Sequence, residues 1–374
     1  MIKIFHISDL HLESGNPSFE KLNIIKALTE DIKKKCTEES ILIFSGDLID
    51  KGGSQFASEE KPFVSFESKF IDPILEKVPI LKGRIFIVPG NHDVVRSKID
   101  PITESGLKAE LIDIKTLDRF VQNNRAESKH LERLSDYKEW EKQFYKKYNG
   151  IDASNFENTF RIKLGNDTVG ITCLNSSWLC KDDSDKENIL LGKNQIENSL
   201  SLIQDCNIKL IVSHHPIEFF KEFDKESIKI PIYKNYDIFF TGHVHELASS
   251  YTQDLYGDIF ISIANSTIGD FPINRRYVNG YTVLDFYPGE KIITNYRKYI
   301  EMHSTFVPNT DIGTEDGSKT FKILKDESLE VFELNSQIIA SIESRHCEKL
   351  NEHIIMSSAN TSVVCSIENL FVEP

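Results

Sequence analysis

Five short polar segments, each directly after an apolar run, constrain this chain more than any other feature of it. They are Asp9-Leu10-His11, Gly46-Asp47-Leu48-Ile49-Asp50, Gly90-Asn91-His92-Asp93, His214-His215-Pro216 and Gly242-His243-Val244-His245. The runs before them, Lys3–Ser8, Ile41–Ser45, Ile85–Val88, Lys209–Ser213 and Asp237–Thr241, are short and almost continuously apolar. That pattern predicts strands covered on both faces. Further strands are expected at Thr168–Asn175, Ile259–Ala264 and Tyr281–Phe286, with helices over Phe19–Cys36 and Gln195–Gln204. Strands alternating with helices predict an α/β layered fold. In a parallel α/β sheet, ligands bind beyond the carboxyl ends of the strands. The five segments, distant in sequence, are therefore expected to converge on one site.

Their residue types favour one chemistry. Carboxylates, imidazoles and an amide oxygen suit hard or borderline divalent cations, whereas a soft thiolate site would need cysteines. Two cations ~3.5–4 Å apart can share a carboxylate and clamp both oxygens of an in-line displacement at phosphorus. A water bound there becomes acidic enough to act as a nucleophile near neutral pH. Singly, each segment has a plainer reading: Asp after a strand forms turns, Gly-Asn is a turn pair, and a lone His makes structural hydrogen bonds. All five in this order at strand ends point to a binuclear site.

The set resembles the calcineurin-like metallophosphoesterase superfamily, whose pattern is D-x-H, G-D-x-x-D, G-N-H-D/E, H, then G-H-x-H. The match is complete and covers roughly residues 1–297. The resemblance implies two packed sheets flanked by helices, with the site at one edge of the sandwich. It implies that Asp9, His11 and His245 hold one metal, that Asp47 bridges, and that Asn91, His214 and His243 complete the other. His92 would act near the leaving-group oxygen, oriented by Asp93, while Asp50 supports its loop and His215 lies behind His214. No ligand position is lost, so catalysis is expected. The implied function is hydrolysis of phosphodiester bonds by a metal-bound hydroxide, on cyclic nucleotides or nucleic acid. The segments Ser8–His11 and Val88–Asp93 are similar to the class III cyclic nucleotide phosphodiesterase branch and also to repair nucleases. The cofactors expected are two divalent ions, manganese first, with iron or zinc as alternatives.

The 374 residues exceed one typical domain of ~100–200. Residues 1–300 are read as the phosphoesterase domain. Residues 98–150, charged and helix-favouring, form a helical insertion whose Phe120, Tyr137, Trp140, Phe144, Tyr145 and Tyr148 make a packing face. Residues 301–374 are read as an extension, with strand at Phe321–Glu333, helix over Ser336–Ile355 and a linker-like end at Ser366–Pro374. That end resembles the phosphoesterase module at the front of large bacterial signalling and antiphage ATPases. The alternative function is thus an effector or interaction module with low basal activity, joined to an ATPase or to further copies. No G-x-x-x-x-G-K-[ST] occurs, so no ATP hydrolysis by that route is expected of these residues.

A net charge of −14 argues against a protein that coats DNA through a basic face. Six cysteines without a C-x-x-C are read as reduced thiols. No apolar stretch approaches the ~18–20 residues of a membrane span. The first candidate ligand, Asp9, lies too close to Met1 for a cleaved signal, so the expected location is the cytoplasm.

Overall fold

The computed structural model describes residues 1–126, 128, 130–181, 185–245, 247–269 and 278–323, and the backbone of 355–358 and 361–364. Two compact units divide the chain, Met1–Ile323 and Leu324–Pro374. In the second, Ile355–Ser358 pairs antiparallel with Thr361–Val364. The helix expected over Ser336–Ile355 lies outside the described residues except at Ile355, which begins that strand.

The first unit contains strands β1 (Ile2–Ile7), β2 (Ser40–Phe44), β3 (Ile85–Ile87), β4 (Glu157–Leu164), β5 (Asp167–Leu174), β6 (Ile208–Val212) and β7 (Ile238–Thr241). It continues with β8 (Ala248–Asp254), β9 (Gly257–Ile263), β10 (Gly280–Tyr287), β11 (Lys291–Ile300), β12 (Thr305–Pro308) and β13 (Ser318–Lys322). Its helices are α1 (Phe19–Lys35), α2 (Pro62–Phe66), α3 (Asp72–Lys77), α4 (Pro101–Glu110), α5 (Ile114–Asn123), α6 (Ser135–Asn149), α7 (Lys193–Ile203) and α8 (Glu222–Asn235).

The strands form two sheets. One runs β12-β11-β10-β1-β2-β3 with β13 also on β11, the other β4-β5-β6-β7-β9-β8. Within them β1-β2-β3 and β5-β6-β7-β9 are parallel, and every remaining pair is antiparallel. The sheets are therefore mixed rather than purely parallel. Eight of the expected strands are present within a residue or two of their predicted ends, while the strand expected at Phe321–Glu333 is met by β13 only at Phe321 and Lys322 and lies outside the described residues beyond Ile323. β4, β8, β11 and β12 were not anticipated, because polar or charged residues interrupt them and no continuous apolar run marks them. The first unit continues past residue 300 because β12 and β13 hydrogen-bond to β11.

Each central strand is buried on both faces, and such a Val, Leu, Ile or Phe side chain contributes ~1.5–3 kcal/mol. Phe86 meets Phe160, and Phe260 meets Phe321, across the space between the sheets. His6 on β1 bonds Ser45 Oγ at 3.0 Å and reaches the other sheet through Ser262 Oγ at 2.9 Å. The helix α1 starts where Ser18 accepts from the Lys21 amide, and Lys33, Lys34 and Lys35 face the negative end of its dipole. A buried network ties it to the sheet. Asp31 accepts from Tyr281 Oη at 2.5 Å and from Arg297 Nε and Nη2 at 2.8 Å each, and Arg297 also reaches the Phe306 carbonyl.

Residues 98–150, read from the sequence as a helical insertion, contain α4, α5 and α6. Of the six aromatics read as its packing face, Phe120, Tyr137, Trp140, Phe144 and Tyr145 are buried and Tyr148 is partly buried against the core. The described cysteines are free. Among the described residues, no helix is long and apolar enough to cross a membrane.

Candidate metal centre

All five polar segments follow the carboxyl ends of parallel strands, β1, β2 and β3 in one sheet and β6 and β7 in the other. Backbone bonds hold the loops together. Asp9 N–H donates to Gly46 O at 2.9 Å, His11 N–H to Asp47 O at 3.1 Å, and Gly242 N–H to His214 O at 2.9 Å. Ser266 Oγ donates to Asp9 O at 2.9 Å and fastens the first loop from the far side of the site.

The chain is bent hard at these points. Asp9, His11, Asp47, His243 and His245 all have positive φ, between 46° and 70°. This left-handed region costs most residues of order 1–3 kcal/mol, and Asp and His enter it more readily than other side chains. Five of the seven expected ligands are thus held in strained backbone that the packed sheets enforce. Gly90 shows how tight the packing is. A Cβ there would lie 2.1 Å from Asp47 Oδ1 and 2.3 Å from Asp47 N, closer than any side chain can approach.

The side chains gather into two donor groups that meet at Asp47. In the first, Asp9 Oδ1 lies 3.8 Å from His11 Nε2 and 3.7 Å from His245 Nδ1. These separations exceed a hydrogen bond and match two ligands of one cation at bond lengths of ~2.0–2.2 Å. Asp9 Oδ1 is also buried with no hydrogen-bond partner among the described residues, a costly arrangement unless a cation sits among these donors. In the second group, Asn91 Oδ1 lies 3.0 Å from His214 Nε2 and 2.9 Å from His243 Nδ1. Asp47 Oδ2 stands between the groups, 3.8 Å from His11 Nε2 and 3.4 Å from His214 Nε2. The donor set therefore fits two divalent cations sharing one carboxylate.

The charges of these donors follow from burial and from one another. Burial lowers the pKa of His11 despite Asp47 and Asp9, and burial with neighbouring His214 lowers that of His243 to about 3. Both imidazoles are thereby kept neutral, the form that ligates. Burial works against the Asp47 carboxylate, but His214, His11 and His92 outweigh it and hold the group well below the usual range. Burial would likewise depress His214, yet Asp47, Asp9 and the bond to Ser45 push it up to about 9. His214 Nδ1 lies 2.7 Å from Ser45 O, which fixes its proton there and turns Nε2 toward Asp47 and Asn91.

Of the two adjacent histidines, His214 is the one beside Asp47, while His215 lies against His243 with ring centroids 4.6 Å apart. His215 Nδ1 pairs with Ser176 Oγ at 2.9 Å, and its Nε2 lies 3.8 Å from Cys180 Sγ. His92 lies within the site but outside both donor groups, with its ring 4.5 Å from that of His11. The partner expected for it, Asp93, is engaged elsewhere. Asp93 accepts from Leu48 N–H at 2.9 Å, Ile49 N–H at 3.0 Å and Gly90 N–H at 2.7 Å, and so knits two loops together. The carboxylate beside His92 is Asp50, whose Oδ1 lies 2.7 Å from His92 Nδ1. Only its place at the end of G-D-x-x-D marked Asp50 in the sequence.

Comparison with known proteins agrees with this geometry. The family profile described as calcineurin-like phosphoesterase matches residues 2–247. Over 344 residues the chain is 21% identical to the uncharacterized metallophosphoesterase-like protein YydB of Bacillus subtilis, covering 88% of this chain and 66% of that one. The chain thus spans just under two thirds of the length of that relative. Among solved structures it is similar to purple acid phosphatase PPD1 of yellow lupin, with a TM-score of 0.44 and 13% identity over 86% of this chain and 53% of that one. It is also similar to GAP50 of Plasmodium, an anchor in the inner membrane complex, with a TM-score of 0.44 and 11% identity over 91% and 94%.

Proposed function

The chain belongs to the calcineurin-like phosphoesterase family, and from that premise we propose that it is a divalent-metal-dependent phosphodiesterase. The observation that carries the reading is the pair of donor groups meeting at Asp47, one of them containing the buried, unpartnered Asp9 Oδ1. In this proposal Asp9, His11 and His245 hold one cation, Asn91, His214 and His243 hold the other, and Asp47 is shared. When bound, the cations supply Lewis acidity toward phosphoryl oxygens and acidify water. Manganese is our first choice, because mixed oxygen and nitrogen donors accept it, with iron and zinc next.

The residues outside the donor groups have separate work. Because Asp50 takes His92 Nδ1, the other ring nitrogen is left to hand a proton to the leaving oxygen of the ester. The Asp50 carboxylate orients that ring. The substrate class we propose is a phosphodiester, a cyclic nucleotide or a nucleic acid. The net charge of −14 favours a ligand gripped mainly at its scissile phosphate over one tracked along a basic surface.

The test is hydrolysis of bis-p-nitrophenyl phosphate by protein stripped of metal and then given Mn²⁺, beside His92→Ala and Asp47→Asn. Turnover that needs the cation and is lost in both variants supports the proposal. Failure to bind any divalent cation would overturn it. Once turnover is found, cyclic nucleotides are compared with DNA and RNA.

A further inference from the structure

β3 is the outermost strand of its sheet, with β2 on one side and no described strand on the other. It is also short, three residues paired with three of β2. In a parallel pair, successive residues turn their N–H and C=O alternately toward and away from the neighbour. Val88 N–H donates to Phe44 O at 3.1 Å, so the amide and carbonyl of Ile87 face outward. A buried edge of that kind costs free energy unless something pairs with it.

The inserted helix α6 supplies the partner. Tyr145 Oη accepts from Ile87 N–H at 2.8 Å and donates to Ile87 O at 2.9 Å, so one hydroxyl takes the place of a neighbouring strand. Tyr145 is fully buried, and its ring packs on Phe144 and Phe160. Burial holds its hydroxyl protonated, far above the ordinary range, so the donor is kept. The helix itself is anchored, since Trp140 lies stacked on Phe63 and donates to Glu67 Oε2 at 2.9 Å. Two residues beyond Ile87 there is a second outer tie, Ser177 Oγ to Pro89 O at 3.1 Å. Gly90, Asn91 and His92 follow at once.

We infer that Tyr145 is a positioning residue: by gripping the free edge of β3 at Ile87, it sets where the next loop presents Asn91 and His92. The inference rests on the reading of the centre as hydrolytic. It gives the inserted helices a part in the chemistry that the five polar segments alone do not reveal. A hydroxyl that merely satisfied the edge would affect stability alone. One that sets the loop also affects the cation bound by Asn91 and the proton transfer made by His92, because a displacement of ~1 Å can cost ~100-fold in rate.

The experiment compares Tyr145→Phe with Tyr137→Phe in the full chain. Tyr137 is buried on the same helix, and its hydroxyl donates to Glu141 Oε1 at 3.0 Å without touching β3. Three quantities are read: Mn²⁺ affinity by calorimetry, kcat and KM on bis-p-nitrophenyl phosphate, and amide hydrogen exchange over residues 90–92. For Tyr145→Phe, one Mn²⁺ is expected to weaken about tenfold while the other is unchanged. Its kcat is expected to fall about tenfold at nearly constant KM, with faster exchange over 90–92. Tyr137→Phe is expected to lose a similar amount of stability and to keep all three. Tyr145→Phe with wild-type Mn²⁺ affinities, kcat and exchange would overturn the inference. Should the wild-type chain turn over no phosphodiester with any cation, the hydrolytic reading fails on its own, and Mn²⁺ affinity with exchange still decides the role of Tyr145. Should Tyr145→Phe not fold, Ser177→Ala is read in the same three ways, and no change in any of them overturns the inference.

Discussion

His92 Nδ1 lies 2.7 Å from Asp50 Oδ1, a bond that runs from the loop after β3 to the loop after β2. The imidazole keeps 27% of its side-chain surface exposed while the carboxylate keeps 11%, so the partner that orients is the better buried of the two. Replacing Asp50 by Asn keeps an acceptor in place but weakens the charge-assisted bond that orients the ring. Asp50→Asn is expected to lower kcat about tenfold with KM nearly unchanged, and His92→Ala to lower it about 100-fold or more. Both should retain their full cation content, as read by elemental analysis of the purified protein beside steady-state kinetics.

Gly90→Ala tests the closeness of the loops after β2 and β3. A methyl group at 90 meets the backbone nitrogen of Asp47 at 2.3 Å, which cannot give way as a flexible side-chain tip could. A destabilisation of ~1–3 kcal/mol is expected from this overpacking. A lower cation content should accompany it, because Asp47 is the ligand we propose to be shared. Urea unfolding and cation counting check both effects.

His6 makes the first unit sensitive to acid. Burial lowers its pKa to about 3, against an ordinary value of 6.5. Between those values the unfolded chain binds a proton that the native state refuses, so stability is complete above pH 6.5 and is lost as the pH falls toward 3. Urea midpoints at pH 5 and pH 7.5, taken in chelator, should therefore differ more in the wild type than in His6→Leu. The variant itself should lose ~1–3 kcal/mol at pH 7.5, because Ser45 and Ser262 lose a buried partner.

The Asp31–Arg297 pair is buried, with side chains 8% and 7% exposed, and it joins α1 to β11. Arg297→Met leaves Asp31 with Tyr281 as its remaining described side-chain donor. A cost of about 3–5 kcal/mol follows from stranding such a charge. Thermal unfolding should show it, while the kcat of the folded fraction stays near that of the wild type.

The ligand segments were legible because each is local: a polar residue directly after an apolar run marks a strand end, and strand ends of parallel strands share an edge. That logic singled out the five segments, and the family resemblance then chose Asp9, His11, Asp47, Asn91, His214, His243 and His245 within them. What lay beyond it were contacts that depend on where a loop turns. Asp93 follows His92 in sequence, yet the turn aims its carboxylate at the backbone of Gly90, Leu48 and Ile49 and leaves His92 to Asp50. Likewise Tyr145 reads as one more aromatic on a packing face, because nothing local reveals that its hydroxyl meets an open strand edge. β8, with the sequence Ala-Ser-Ser-Tyr-Thr-Gln-Asp, carries almost no apolar signal, since an edge strand in mixed surroundings does not need one.

The left-handed backbone under Asp9, His11, Asp47, His243 and His245 has a consequence for how such a centre is gained or lost. Grafting the same side chains onto the strand ends of another sandwich would not rebuild it, because the recipient would also have to bend its chain through an unfavourable region at each of those positions. The reverse is easier. A descendant could exchange Asp or His for Asn or Gly, which tolerate that conformation, and give up the cations while keeping every loop in place. Restoring the centre would then take only point substitutions, so loss of metal in such a lineage is reversible so long as the loops survive.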